Sequence, residues 1–190
     1  MNKAMSARGG SASGVKKAII ITLIVLGTLG LGVLLFLQDQ KTSQYAVSGS
    51  NANTPQVGQE IPILGRDHIK DINAKINYNS NPPTSGTHFE YAEQWGVFDS
   101  PQPDTKMVHN LEHGGIWITY KDIDDQAKAQ LETIAKANPG SVIMTPRPAD
   151  DSKIVLASWG RLEKLDSYDE AKILEFIKAN KNKSPEPMAK

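Results

Sequence analysis

A chain of 190 residues with 22% charged and 6% aromatic positions has room for a single domain of ordinary size, and its lack of cysteine excludes disulfides, thiolate metal ligands and a lipidated cysteine. The formal net charge of zero conceals an uneven distribution: residues 1–17 carry Lys3, Arg8, Lys16 and Lys17 and no acid, whereas from Val57 to the end 16 basic residues face 20 acidic ones. No window of that acidic part has the basic stripe that phosphate-backbone contacts need, which argues against nucleic acid as a partner.

Residues 18–37, AIIITLIVLGTLGLGVLLFL, are twenty positions without a charge. At a rise of about 1.5 Å per residue such a run crosses a hydrocarbon core of about 30 Å. Lys16 and Lys17 precede it and Asp39 follows it. The positive-inside bias then predicts a single-pass anchor at the cell membrane, with a basic cytoplasmic tail over 1–17 and the remainder extracytoplasmic. A cleaved signal peptide is the rival reading, but its apolar stretch normally runs about 7 to 15 residues and ends in small residues. Here Gln38, Asp39, Gln40 and Lys41 follow instead. The lipid bilayer, contacted through residues 18–37, is therefore the first expected partner, and no protein partner can be named.

Residues 38–56, rich in Ser, Asn, Gln and Thr, lack any hydrophobic period and are expected to be a flexible linker. The globular domain is expected over 57–180. Its first part, to about Met107, is dense in Pro, Gly and Asn and reads as loops and short extended pieces. Its second part is regular. Gly115 to Tyr120 (GIWITY) is a β-rich apolar run, and Ile123, Ala127, Leu131, Ile134 and Ala135 follow at helical spacing. Asp122 and Asp125 can cap that helix, and Asn138, Pro139 and Gly140 end it. Ser141 to Thr145 and Lys153 to Trp159 read as strands that could pair as a hairpin. A last helix is expected from Tyr168 to Asn180, with Ser167 and Glu170 as a capping box and Ala171, Leu174 and Ile177 on one face. Residues 181–190 are expected to be disordered. The order implies an α+β fold: a small mixed sheet with two helices packed on one face, after a loop-rich N-terminal half and one N-terminal transmembrane helix.

The candidate chemistry lies in His68, His88, His109 and His113. The last three fall in one window with two turn-forming segments, NPPTSG (Asn81 to Gly86) and HNLEHGG (His109 to Gly115). His109 and His113 are four residues apart, which on a helical turn places both rings on one face, about 5 to 6 Å apart at Cβ, close enough to share an ion. Gly114 and Gly115 stop a helix, so a single turn or bent loop before GIWITY is expected. Two rival readings have the paired histidines fixing the turn by bonding backbone carbonyls, or acting as acid and base. Pro82, Pro83 and Gly86 make a stiff turn that aims His88. His68, among the charges of RDHIKD, reads alone as a surface residue. Met107 and Met144 read first as core, although a His and Met donor set would suit copper in a cysteine-free protein.

The runs YNSNPPTSGTH (Tyr78 to His88), WGVF (Trp95 to Phe98), VHNLEHGGIWITY (Val108 to Tyr120) and ASWGRL (Ala157 to Leu162) resemble a bacterial membrane-anchored family, that of domain of unknown function 3105. The resemblance spans roughly 57–180 and implies no particular activity. It does imply that His68, His88, His109, Glu112 and His113 belong to the family's pattern, which strengthens the metal reading. Thr87 stands where the family is expected to have proline, leaving the turn before His88 less stiff.

Two enzyme readings compete. HNLEH spells H-x-x-E-H, the inverted zinc-protease order, but that motif needs an uninterrupted helix and a third ligand far downstream. A serine hydrolase with Ser85 as nucleophile and Asp104 or Glu112 orienting a histidine lacks the G-x-S-x-G elbow. A binding surface is the third class, built from Trp95, Trp117, Trp159, Tyr78, Tyr91 and Phe98, although such aromatics usually form a core. The expected site is thus a transition-metal centre, copper ahead of zinc, more a binding function than an enzyme. His88, His109 and His113 are its expected ligands, with His68 or Met107 completing the set and Glu112 holding an imidazole from behind.

Overall fold

The computed structural model describes residues 30–37, 43–47 and 53–190. Of the expected anchor over 18–37, residues 30–37 are helical, and the rest of that span, like the 1–17 tail, lies outside the described residues. Among the described residues no helix is long and apolar enough to cross a membrane. The remaining description concerns the unit that begins at Thr42.

That unit is a mixed α+β structure. Four strands of two residues come first: β1 (Gln59–Glu60), β2 (His68–Ile69), β3 (His88–Phe89) and β4 (Gly96–Val97). Helix α1 (Asp104–Glu112), strand β5 (Ile116–Tyr120), helix α2 (Asp125–Ala137) and strand β6 (Val142–Pro146) follow. Strands β7 (Ile154–Ser158) and β8 (Arg161–Leu165) and helix α3 (Glu170–Asn180) complete the order. The main sheet has six strands in the order β1-β8-β7-β5-β6-β4, with β4 and β5 both parallel to β6 and the other pairs antiparallel. Strands β2 and β3 form a separate parallel pair in which His68 lies opposite His88.

Period-two alternation along the long strands sends side chains to two different cores. Ile116, Ile118, Val142, Met144, Ile154 and Leu156 face α2 and α3, meeting Leu131 and Ile134 of the first and Ile173, Phe176 and Ile177 of the second. Trp117, Ile143, Val155 and Ala157 face the other way, where Met107, Val108 and Leu111 of α1 cover them together with Ile61 and Trp159. The two anticipated helices do share one face. The opposite face is covered by a third helix, which the sequence reading did not anticipate, and by the N-terminal half, whose loops and short strands agree with the expected loops and short extended pieces.

Several local expectations are corrected. Strands β6 and β7 do not form a hairpin, because β5 lies between them and pairs with both. The partner of β7 is β8, which was not foreseen. The α2 cap is Asp124, whose side chain accepts from the Ala127 amide at 2.7 Å, while Asp122 takes the left-handed conformation (φ 48°) that lets the chain leave β5. Asp169 likewise caps α3 in place of Ser167, accepting from the Lys172 amide at 3.1 Å, and the buried stripe is Ile173, Phe176 and Ile177 while Ala171 is exposed.

Described residues of the expected linker and tail make specific hydrogen bonds. Residues 43–47 dock on the unit: Asn138 accepts from the Val47 amide and donates to the Tyr45 carbonyl, each at 2.8 Å. The C-terminal segment is tied down as well, with the Asn182 amide bonded to Gly114 O, the Glu186 amide to Glu112 O, and the Met188 and Ala189 amides to His113 O.

Helix α1 is positioned at both ends. Its start is held by Arg147, which donates to both carboxylate oxygens of Asp104 at 2.9 and 2.7 Å, pairs with Asp150 and Asn81, and lies over the Trp117 ring. Its end is closed by a Schellman motif, in which the Gly114 amide bonds Leu111 O and the Gly115 amide bonds Asn110 O. Gly114 supplies the required positive φ of 85°. A Cβ on Gly115 would lie 2.4 Å from the Trp95 ring.

Candidate metal centre

Three elements deliver the histidines. His68 and His88 come from the parallel β2 and β3 pair, and α1 packs against β3 and presents His109. The ring centroids of His68 and His88 are 4.6 Å apart, and each lies 5.0 Å from that of His109. One ligand atom from each of the three falls within 4.8 Å of the others, a grouping that could hold a metal ion. His88 and His109 are buried and His68 is exposed.

Backbone carbonyls set the tautomers. His88 Nδ1 lies 2.7 Å from Gly86 O, and His109 Nδ1 lies 2.7 Å from Phe89 O. A carbonyl oxygen only accepts, so each Nδ1 carries the hydrogen and each neutral ring has its lone pair on Nε2. The Gly86 carbonyl is aimed by the turn that the two prolines initiate, and the Tyr78 hydroxyl donates to Thr87 O at 2.8 Å, bracing the position where proline was expected.

Glu112 lies beside His68 and His88, with no solvent exposure. Its Oε2 is 3.1 Å from His88 Nε2 and 3.4 Å from His68 Nε2. Its Oε1 has no hydrogen-bond partner, and Arg66 Nη1 stands 3.9 Å away. A carboxylate holding an imidazole from behind would bond Nδ1, but in His88 that nitrogen is taken by Gly86, and Glu112 faces Nε2 instead. Burial lowers the His88 pKa, with the charges of His109 and His68 adding to the effect against the opposing pull of Gly86 O and Glu112. The neutral ring is therefore the favoured form near neutral pH, and its lone pair confronts a carboxylate.

His113, at the C-cap of α1, stands beside the group. Its Nε2 is 3.2 Å from His109 Nε2 and 3.7 Å from Glu186 Oε2, and burial with the adjacent His109 lowers its pKa. Met107 is not with the histidines. It is fully buried in the core with Val108, Leu111 and Trp117, since two residues along a helix turn a side chain by about 200° and so place it away from His109.

The rival sites fare less well. Ser85 Oγ accepts from the Leu64 amide at 3.0 Å, and Asp104 is committed to Arg147, so neither belongs to a triad. H-x-x-E-H lies on the last turn of α1 and its cap rather than mid-helix. Trp117 and Trp159 are buried in the core and Trp95, Phe98 and Tyr78 pack against it, whereas Tyr91 is exposed, so five of the six aromatics serve the core. The residue whose placement the sequence most understated is His68. Its parallel pairing with the strand of His88 is a contact between distant segments, which local composition does not reveal.

No curated protein and no solved structure matches the chain. The family described as protein of unknown function (DUF3105) matches residues 69–190, which include His88, His109, Glu112 and His113, with His68 just before the first matched position. With well over half its length matched, the chain belongs to the DUF3105 family.

Proposed function

We propose that this protein is a membrane-tethered metal-binding domain in which His68, His88, His109 and Glu112 hold a single transition-metal ion, zinc ahead of copper. The observation that carries the reading is the meeting of acceptors: a buried carboxylate 3.1 Å from a nitrogen whose lone pair the Gly86 carbonyl has turned inward. Two such groups repel unless a proton or a cation joins them, and a buried carboxylate left without donors is costly. Donors about 2.0 Å from a tetrahedral ion lie about 3.3 Å from one another, close to the 3.1 and 3.4 Å that separate Glu112 Oε2 from His88 Nε2 and His68 Nε2, while the three histidine ligand atoms lie within 4.8 Å of one another. The carbonyls of Gly86 and Phe89 then act as the outer partners that orient ligating histidines.

Zinc moves ahead of copper because Met107 is in the core, leaving imidazole and carboxylate donors and no thioether. The tether rests on the uncharged run of residues 18–37 with Lys16 and Lys17 before it, and on the helical course and exposed apolar side chains of Leu31 to Leu37. On that basis the domain stands outside the cytoplasm.

Metal analysis of the purified full chain tests the proposal. The expected result is a single zinc ion per chain, lost in His88→Ala and in His109→Ala while both variants remain folded. Retention of zinc in both, or no uptake of zinc or copper by the wild type, overturns it and leaves the histidines with a structural role.

A further inference from the structure

The proposed ligands leave His113 and Glu186 unused, although both adjoin the set. His109 Nδ1 is committed to Phe89 O, so its Nε2 is the nitrogen free to bind an ion, and that same atom is 3.2 Å from His113 Nε2. Glu186 directs one carboxylate oxygen to within 3.7 Å of His113 Nε2 and the other to Arg66 at 3.3 Å. Exposure falls steadily inward: the side chains of Glu186 and His113 are 45% and 20% exposed, whereas those of His88 and Glu112 are fully buried. The C-terminal segment fixes this outer pair in place, since the Glu186 amide bonds Glu112 O and the Met188 and Ala189 amides bond His113 O.

Resting on the metal-binding reading, we infer that His113 and Glu186 form the outer station of a loading route, from which His109 passes a divalent cation inward. The ion is caught between Glu186, His113 Nε2 and His109 Nε2. It keeps its bond to His109 while those to His113 and Glu186 break and those to His88, His68 and Glu112 form. His113 Nε2 carries the hydrogen that bonds His109 Nε2, so capture of the ion releases that proton to solvent, in exchange for one taken up at Nδ1, and each donor then contributes a lone pair; no electron changes hands, and the ion is never without a protein ligand. Arg66 stands 3.9 Å from Glu112 Oε1 and 3.3 Å from Glu186 Oε1, so it repels a cation on the His68 side and is displaced from Glu186 as that carboxylate takes up the ion.

A route must serve both directions, so its loss slows capture and release alike and leaves their ratio unchanged. The test uses the metal-free full chain and zinc alone. Capture is followed by stopped-flow fluorescence of Trp159, whose ring centroid is 6.4 Å from that of His88, and release by transfer to a chromogenic chelator. Both His113→Ala and Glu186→Gln are expected to slow capture by about tenfold, the lower end of electrostatic steering effects, with release slowed in proportion. Faster release with capture unchanged would make His113 a plain ligand, and two unchanged rates would assign loading to the His68 side. Either outcome overturns the inference. Failure of the wild type to take up zinc removes the reading beneath it instead, so the two failures are distinguishable.

Discussion

Glu112 concentrates the site's chemistry in one side chain, and its removal separates two roles that sequence reasoning did not resolve. If Glu112 is a metal ligand, Glu112→Gln weakens zinc binding yet stabilises the metal-free protein. The amide can donate to His88 Nε2, and the buried charge that faced that lone pair is gone, a gain of about 1 to 3 kcal/mol. A structural ion pair with a charged His88 predicts a lower melting temperature instead, so thermal unfolding in chelator decides the matter. His88, His109 and Glu112 were identifiable from residue type and spacing. Their roles were not, because which nitrogen of a ring faces inward depends on a carbonyl two residues back in the chain for His88 and twenty back for His109.

At the scale of elements, α1 does most to form the centre, and its end depends on the space beside Gly115. A methyl group there meets a rigid indole rather than a flexible chain end, so Gly115→Ala is expected to cost about 1 to 3 kcal/mol of stability through overpacking. The same shift moves the turn that carries His109 and Glu112, so zinc affinity measured by competition should fall with the melting temperature. An unaffected variant would mean that Trp95 yields freely.

This helix was the main element missed. Pro101 and Pro103 directly before it suggested a loop, although Pro103 followed by Asp104, the apolar trio of Met107, Val108 and Leu111, and Gly114 are the marks of a short helix. Strands β5 to β7 and helices α2 and α3 were legible because burial imposes a regular period on them. β8 was not, since in RLEKL the buried Leu162 and Leu165 are three residues apart and enter opposite cores, with Glu163 and Lys164 between them. The order of β5, β6 and β7 was misjudged because nearest neighbours in sequence are the default pairing, and here α2 carries the chain across to a parallel partner.

In the whole molecule the centre joins parts that are distant in the chain. Helix α1 packs against β3, so an ion shared between β2, β3 and α1 would fasten the loop-rich half to the sheet. Zinc at about a hundred times its dissociation constant is expected to add about 2.7 kcal/mol, raising the melting temperature by about 5 to 10 °C for a domain of this size. Calorimetry with and without chelator reads this directly, and an equal melting temperature in both would show that no ion binds the native state selectively.

The sheet's margins carry a separate consequence for solubility. Its two outermost strands, β1 and β4, are two residues each, while the long strands β5, β6 and β7 lie inside, and the stretch of β8 that extends past β1 bears Glu163 and Lys164. Short, charged borders give a neighbouring polypeptide little backbone to zip onto. Fibril-like association through the margins of this sheet is thereby disfavoured by the geometry of its rim.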